Sequence, residues 1–326
     1  MSVPQELDLA VPLVTPVKAR RVGRYLKAGL LLGVAIVGLL LVLNASPSAD
    51  GPYTDTQTWE SKTVNGFLFD RNYTVGVSKE SAAEPGPAVI YLHALYGNRS
   101  ETMGFTDMDY LGAANGIVTV WPQAMWGAWN SGDCCVPSSI FGVDDIGFLN
   151  TVFDEVAALP EVDPEEIYVA GMSAGGMMTA RWVCETDRAL AGAIAVAAVP
   201  LSVEGCEDRR TETMFAIGDE DGLFPYEGGW SFAGALEIQG PAPAVEAAVG
   251  EYAAVGGCGE YSEAVEVTDK ATAAEIGYFA ATRVDYTGCD APVSLITMHS
   301  ANHTWPFGGP WSPTKEMFEN FDLFAN

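Results

Sequence analysis

The stretch Gly171-Met172-Ser173-Ala174-Gly175 constrains this chain more than any other. Upstream, Glu166-Ile167-Tyr168-Val169-Ala170 is an apolar, β-branched run that predicts a buried strand. Downstream, Gly176 to Cys184 has helix formers and no proline. Strand, tight turn on serine, then helix is the context that makes G-x-S-x-G a nucleophile elbow rather than a structural Gly-rich turn. A serine there is held in a strained backbone, and side chains two residues to either side would collide with the flanking elements. The helix that follows points free N–H groups and its positive dipole end back at the serine, where an anion could sit.

The fold does not begin at residue 1. Residues 1–27 form a basic region carrying Lys18, Arg20, Arg21, Arg24 and Lys27, and residues 28–45 are hydrophobic. The uncharged run from Ala28 to Leu43 is short for a spanning helix of about 20 residues but suits a secretory h-region. Small residues at Ala45 and Ala49 offer cleavage sites, Ala45 the better; the alternative is an uncleaved signal anchor. Both readings place the folded part outside the cytoplasm, either secreted or membrane-anchored. Residues 46–60 read as a linker and 61–326 as one catalytic domain, enough for a large core. Formal net charge is −27; with 11 basic and 41 acidic residues after position 45, the exported part carries about −30. Such a surface excludes nucleic acid and anionic membrane as partners, leaving the N-terminal segment as the only membrane contact. With three histidines and no zinc-type spacing among six cysteines, neither a metal nor a cofactor is expected. The cysteines read as up to three disulfides.

Lys62 to Val77 alternates in hydrophobicity around Asn65-Gly66 and Asp70-Arg71-Asn72, predicting a hairpin or meander at a sheet edge. Apolar runs at 88–92, 117–121, 192–197, 213–217 and 293–298 predict further buried strands. Helices are predicted at 108–114, at 143–159 behind Asp144-Asp145, at 242–255 and near 315–321. Trp126 to Pro137 reads as an irregular loop. Alternating strands and helices imply an α/β protein with a mainly parallel central sheet and helices on both faces.

A serine hydroxyl needs a base, and the base an orienting group. The chain supplies Ser, Asp and His in that order. Asp221, beyond the strand ending at Ile217, is the favoured acid, with Asp219 its rival. His303 is the base, in a loop beyond the last strand; His299 reads as structural, and His93 as shaping the oxyanion loop. The oxyanion donors are the N–H of Ala174 and, from the loop after His93, that of Leu95, with Ala94 second. Trp305, Trp129, Trp126 and Tyr96 stand in loops at the same sheet edge and read as a substrate wall or as packing. The 48 positions from Ser173 to Asp221 leave no room for a large lid, so an open groove is expected. Cys258 with Cys289 would brace the His303 side, and Cys184 could meet Cys206. Cys134 and Cys135 then remain as a vicinal pair, or each partners elsewhere.

The ordered set His93-x-x-x-Gly97-Asn98, Trp129-Asn130-x-Gly132-x-Cys134-Cys135, Val143-Asp144-Asp145-x-Gly147-Phe148, Gly171-x-Ser173-x-Gly175-Gly176-Met177-Met178, Asp221-x-x-x-Pro225-Tyr226 and His303-Thr304-Trp305-Pro306 resembles the polyhydroxybutyrate depolymerase and feruloyl esterase family of secreted hydrolases. The likeness runs from about residue 60 to about 310. It implies an α/β-hydrolase fold and hydrolysis of carboxylic esters, with Ser173 as nucleophile, Asp221 as acid and His303 as base. The chain departs from the family at Ala94, where glycine is usual, and Leu95 and Tyr96 are bulkier than usual.

The leading expectation is an exported serine esterase acting on a polymeric or aromatic ester: polyhydroxyalkanoate, or feruloylated or acetylated polysaccharide. The alternatives are a non-catalytic surface-binding protein on a hydrolase scaffold, and a peptidase or acyltransferase using the same triad.

Overall fold

Period-2 burial runs through the central strands and decides which face each side chain enters. In the strand Gly86–Leu92, Ala88, Ile90 and Leu92 enter one core while Val89 and Tyr91 enter the other. Phe215 and Ile217 against Met214 and Ala216 do the same in Thr213–Gly218. A strand apolar on both faces must be covered on both, the signature of a parallel sheet sandwiched by helices.

The computed structural model of the protein describes residues 57–66, 70–79, 84–98, 106–230, 241–268, 279–307 and 311–324. Regions 1–27 and 28–45, and residues 46–56 of the expected linker, lie outside the described residues. The strands are β1 (Gln57–Val64), β2 (Arg71–Ser78), β3 (Gly86–Leu92), β4 (Val118–Pro122), β5 (Val162–Met172), β6 (Gly192–Val196), β7 (Thr213–Gly218), β8 (Glu260–Tyr261), β9 (Val265–Thr268), β10 (Ala281–Thr287) and β11 (Val293–Met298). The helices are α1 (Met108–Ala114), α2 (Ser138–Phe141), α3 (Asp145–Ala157), α4 (Ala174–Glu185), α5 (Val245–Val255) and α6 (Pro313–Asn320). The strands form one sheet in the order β1-β2-β4-β3-β5-β6-β7-β11-β10-β8, with β9 also on β10. The six from β4 to β11 run parallel, and antiparallel strands finish both ends. Helices α3, α4 and α5 pack on one face; α1 and α6 pack on the other. This is the α/β-hydrolase fold implied by the sequence resemblance.

Two differences from expectation have physical causes. β1 takes in residues 57–60 of the stretch read as linker; Thr58 and Glu60 are exposed, Gln57 and Trp59 are not, and the strand carries no apolar run. β10 gave no signal because it carries charges and no apolar run. Its Arg283 pairs with Asp285 at 2.7 Å on the same face and with Glu316 of α6 at 3.0 Å, so the charges are satisfied where a core strand would carry leucine.

Two buried polar groups set the loops at the sheet's carboxyl edge. Arg71, at the start of β2, pairs with Asp145 at 2.6 Å and lies 3.7 Å over the ring of Phe148. Asp145 in turn accepts from Asn130 N at 2.6 Å, while Asn130 Nδ2 donates to Val143 O at 2.9 Å. A buried pair of this kind costs about 3–5 kcal/mol to break from one side, since the surviving charge is left without a partner. The second group is His93, fully buried just past β3. Ala124 N donates to its Nε2 at 3.0 Å, so the ring proton is on Nδ1, which donates to Ala94 O at 2.7 Å. Burial is the main reason its pKa is pushed down to about 4, and the nearby Arg71 charge adds to it.

All six cysteines are bridged, as Cys134–Cys135, Cys184–Cys206 and Cys258–Cys289. The last closes a 31-residue excursion that contains β8, β9 and β10. Replacing both Cys258 and Cys289 by alanine is expected to lower the unfolding free energy by about 2–4 kcal/mol in urea titrations. A second expectation concerns pH. The unfolded chain protonates His93 near pH 6.5 and the folded one only near 4, so its contribution is complete above about 6.5 and is lost as pH falls toward 4. Between pH 7.5 and 4.5 this amounts to roughly 2–3 kcal/mol. The same urea titrations on His93→Gln should show a correspondingly smaller fall across that window.

Candidate active site

Ser173 joins β5 to α4 with φ 55° and ψ −120°, a conformation that L-residues adopt only when their surroundings impose it. The surroundings do so through glycine. A Cβ on Gly175 would lie 2.0 Å from Leu92 O, and one on Gly171 would lie 2.3 Å from Gly175 O. No side chain fits at either position, so the first turn of α4 is pressed against the ends of β3 and β5. Ser173 itself is tied to β6 by its N–H, which donates to Val196 O at 2.9 Å. Ser131 Oγ donates to Ala174 O at 3.2 Å, and Arg181 Nη1 to Asn130 O at 2.6 Å, fastening the 129–135 loop to the elbow helix.

Because β5, β7 and β11 run parallel, Ser173, Asp221 and His303 all fall beyond carboxyl ends at one sheet edge. His303 Nδ1 is 2.7 Å from Asp221 Oδ2. The Asp221 side chain is fully buried, and its other oxygen accepts from Leu223 N at 2.8 Å and Phe224 N at 2.9 Å. An anionic acceptor so held keeps the imidazole proton on Nδ1 and presents the Nε2 lone pair outward. Among the described residues His303 Nε2 has no partner, and Ser173 Oγ makes no hydrogen bond to it. Nucleophile–base bonds of this kind commonly tighten only when substrate binds.

The rival acid Asp219 has its own partner. His299 Nδ1 lies 2.9 Å from Asp219 Oδ2, but His299 Nε2 is taken by Thr282 Oγ1 at 3.0 Å. That imidazole is closed at both nitrogens, which agrees with a structural reading of His299.

The loop after β3 turns at Tyr96, whose φ is 54° and whose N–H donates to Gly127 O at 2.7 Å. Ala94 O accepts from both His93 Nδ1 and Gly97 N, the latter at 3.0 Å. In a planar trans peptide the C=O and the next N–H point opposite ways. With Ala94 O so anchored, Leu95 N–H is aimed away from His93. Neither Leu95 N–H nor Ala174 N–H has an acceptor among the described residues, so both are free to meet an anion.

The aromatic expectations divide. Trp305 is buried, edge-on to Tyr91 with centroids 5.3 Å apart, and its Nε1 donates to Thr314 Oγ1 at 3.1 Å. Trp129 is buried as well, donating from Nε1 to His93 O at 2.9 Å. Both serve as packing anchors for the loops and offer no face to a ligand, which corrects their placement in a substrate wall. Tyr96, 52% exposed, and Trp126, 38% exposed, do face outward. Trp126 stacks edge-on with Phe141, centroids 5.5 Å apart, and Ile140 and Phe141 of α2 extend the exposed apolar surface. Arg71 and Gln123, whose Nε2 lies 2.9 Å from His93 Nε2, support the site without any signal in the sequence. Arg71 opens β2 and Gln123 follows β4, positions where polar residues are ordinary.

No family model matches the chain. "Putative esterase NocK" of Nocardia uniformis subsp. tsuyamanensis is 26% identical over 256 residues, 74% of this chain and 73% of that protein. "Feruloyl esterase B" of Piromyces equi is 28% identical over 155 residues, 44% of this chain but only 28% of that protein's length. Among solved structures, the acetyl xylan esterase from Aspergillus awamori superposes with a TM-score of 0.56 at 13% identity, covering 81% of this chain and 99% of that one. An S-formylglutathione hydrolase from Agrobacterium tumefaciens gives 0.51 at 13% identity, covering 78% and 92%. At these identities the structural likeness speaks for the fold, and the sequence relatives speak for the chemistry. The chain is a carboxylic ester hydrolase of the α/β-hydrolase fold.

Proposed function

We propose that the protein is an exported serine esterase in which Ser173, His303 and Asp221 form the catalytic triad. The observation that carries this is the buried Asp221 carboxylate on His303 Nδ1 with Nε2 left open, at the sheet edge where the Ser173 elbow stands. Ser173 Oγ attacks the ester carbonyl as His303 Nε2 takes its proton, and the oxyanion is held by the N–H groups of Ala174 and Leu95. The imidazolium returns the proton to the departing alcohol. Water, activated by the same base, then releases the acid from Ser173. Asp221 rather than Asp219 fills the orienting role, because the His299 ring beside Asp219 has no nitrogen to spare.

The substrate class follows from what surrounds the elbow. Tyr96 adjoins the Leu95 donor, and with Trp126 it gives flat apolar area beside the reacting carbonyl, suited to a polymeric or aromatic ester. Three disulfides and the hydrophobic segment 28–45 support export. No helix among the described residues is long and apolar enough to cross a membrane.

Ser173→Ala should lower kcat on p-nitrophenyl butyrate by about four to six orders of magnitude while leaving the thermal midpoint near that of the wild type. Retained turnover would remove the mechanism. Methyl ferulate, acetylated xylan and polyhydroxybutyrate, assayed side by side, identify the preferred ester. Trp126→Ala should raise KM for methyl ferulate about 2- to 10-fold and leave ethyl acetate hydrolysis unchanged, as expected for loss of one ring contact.

A further inference from the structure

The loops after β7 and β11 are joined twice by the same kind of contact. Asp221 meets His303, and two residues earlier Asp219 meets His299, four residues before His303. Only the first pair has an open imidazole nitrogen. The second is closed by Thr282 of β10. Thr282 itself sits within the sheet, opposite Thr297 in the β10–β11 ladder.

What the second pair does hold is the turn that carries the base. β11 ends at Met298, and the chain must leave the sheet, reverse and deliver the imidazole five residues later. Ser300 makes that reversal with φ 61°, in the left-handed region that a non-glycine residue avoids unless held there. Asp219 holds it. One carboxylate oxygen accepts from Ser300 N at 2.6 Å, and the other lies 2.9 Å from His299 Nδ1. On the same side Asp219 N donates to Met298 O and Glu220 N to Ala301 O, each at 3.1 Å, so the parallel pairing of β7 with β11 continues into both loops. The approach is close enough that a Cβ on Gly218 would lie 2.2 Å from Ala301 O. His299 is anchored from its other side, its N–H donating to Ala280 O at 2.8 Å beside β10.

We propose that Asp219 and His299 are positioning residues for the ester hydrolysis: a non-reacting copy of the Asp–His contact that fixes the Ser300 turn and thereby the place of the His303 ring over Ser173. The proposal rests on the triad assigned above. It also gives β10 a role, since the Thr282 hydroxyl occupies His299 Nε2 and fixes the orientation of the ring. A triad tolerates little error in ring placement; a displacement of about 1 Å at a reacting group can cost about a hundredfold in rate.

The test compares His299→Ala, His299→Asn and Asp219→Asn with wild type on p-nitrophenyl butyrate, with competent sites counted by a fluorophosphonate titrant and folding checked by thermal midpoint. His299→Ala and Asp219→Asn should lower kcat per titrated site roughly 10- to 100-fold with KM changed less than about twofold. His299→Asn, whose amide nitrogen can replace Nδ1 as donor to Asp219, should recover most of the loss. Unchanged kcat per site in His299→Ala would overturn the proposal, and so would a loss in His299→Asn equal to that in alanine. A fall in activity wholly accounted for by fewer folded or titratable sites would also overturn it. Ser173→Ala and His303→Ala run alongside: if either keeps full activity, the triad reading itself has failed, whereas their inactivity with an unaffected His299→Ala leaves the triad and removes only the brace.

Discussion

Where α4 meets the end of β3, backbone touches backbone. The carbonyl of Leu92 occupies the space that any side chain at Gly175 would need, and Gly171 is closed off in the same way from the far side of the turn. That close approach is what gives Ser173 its unusual backbone angles, and it brings the free N–H of Ala174 near the loop that follows β3. Ser173, the N-terminus of α4 and the loop after β3 are thus one mechanical unit. The sheet supplies the rest by running three strands parallel, so that residues separated by well over a hundred positions emerge at the same edge.

Around this unit the loops are held by polar groups sunk in the core. His93 turns one carbonyl, and with it one peptide plane. Arg71 neutralises Asp145, which holds Asn130, whose carbonyl takes a bond from Arg181 on the elbow helix. Trp129 and Trp305 fill the volume beneath. Each element is ordinary by itself, but together they leave the edge of the sheet with little freedom at the positions that matter for chemistry.

The central strands were readable because they are apolar on both faces, and the elbow because close packing demands glycine at two fixed places. The helix opened by Asp144 was equally plain, its cap accepting from Gly147 N at 2.8 Å. What the sequence concealed follows one pattern. β10 carries Thr, Arg, Asp and Tyr, and nothing in that string says that Arg283 will find Glu316 across the fold. Trp129 and Trp305 sit in loop sequences next to motif residues, where exposure is the natural guess. Their burial depends on Tyr91 and His93, distant in the chain, and on Thr314 of α6. Asp219 and Asp221 could be ranked from spacing, but the feature that separates them, Thr282 closing the His299 ring, comes from a charged strand that periodicity did not reveal.

The pairing of Arg71 with Asp145 has a consequence for anyone redrawing the borders of this protein. Arg71 belongs to the outermost hairpin, the part of a sheet that is usually thought dispensable. Here it is the counter-ion for a carboxylate lodged beneath the sheet edge that carries Ser173. A shortened version starting at β3 would keep every residue of the proposed chemistry, yet it would strand a negative charge under the floor of the pocket. Fusion junctions, tags and domain transplants therefore belong ahead of Gln57, with the hairpin carried along as part of the engine rather than its casing.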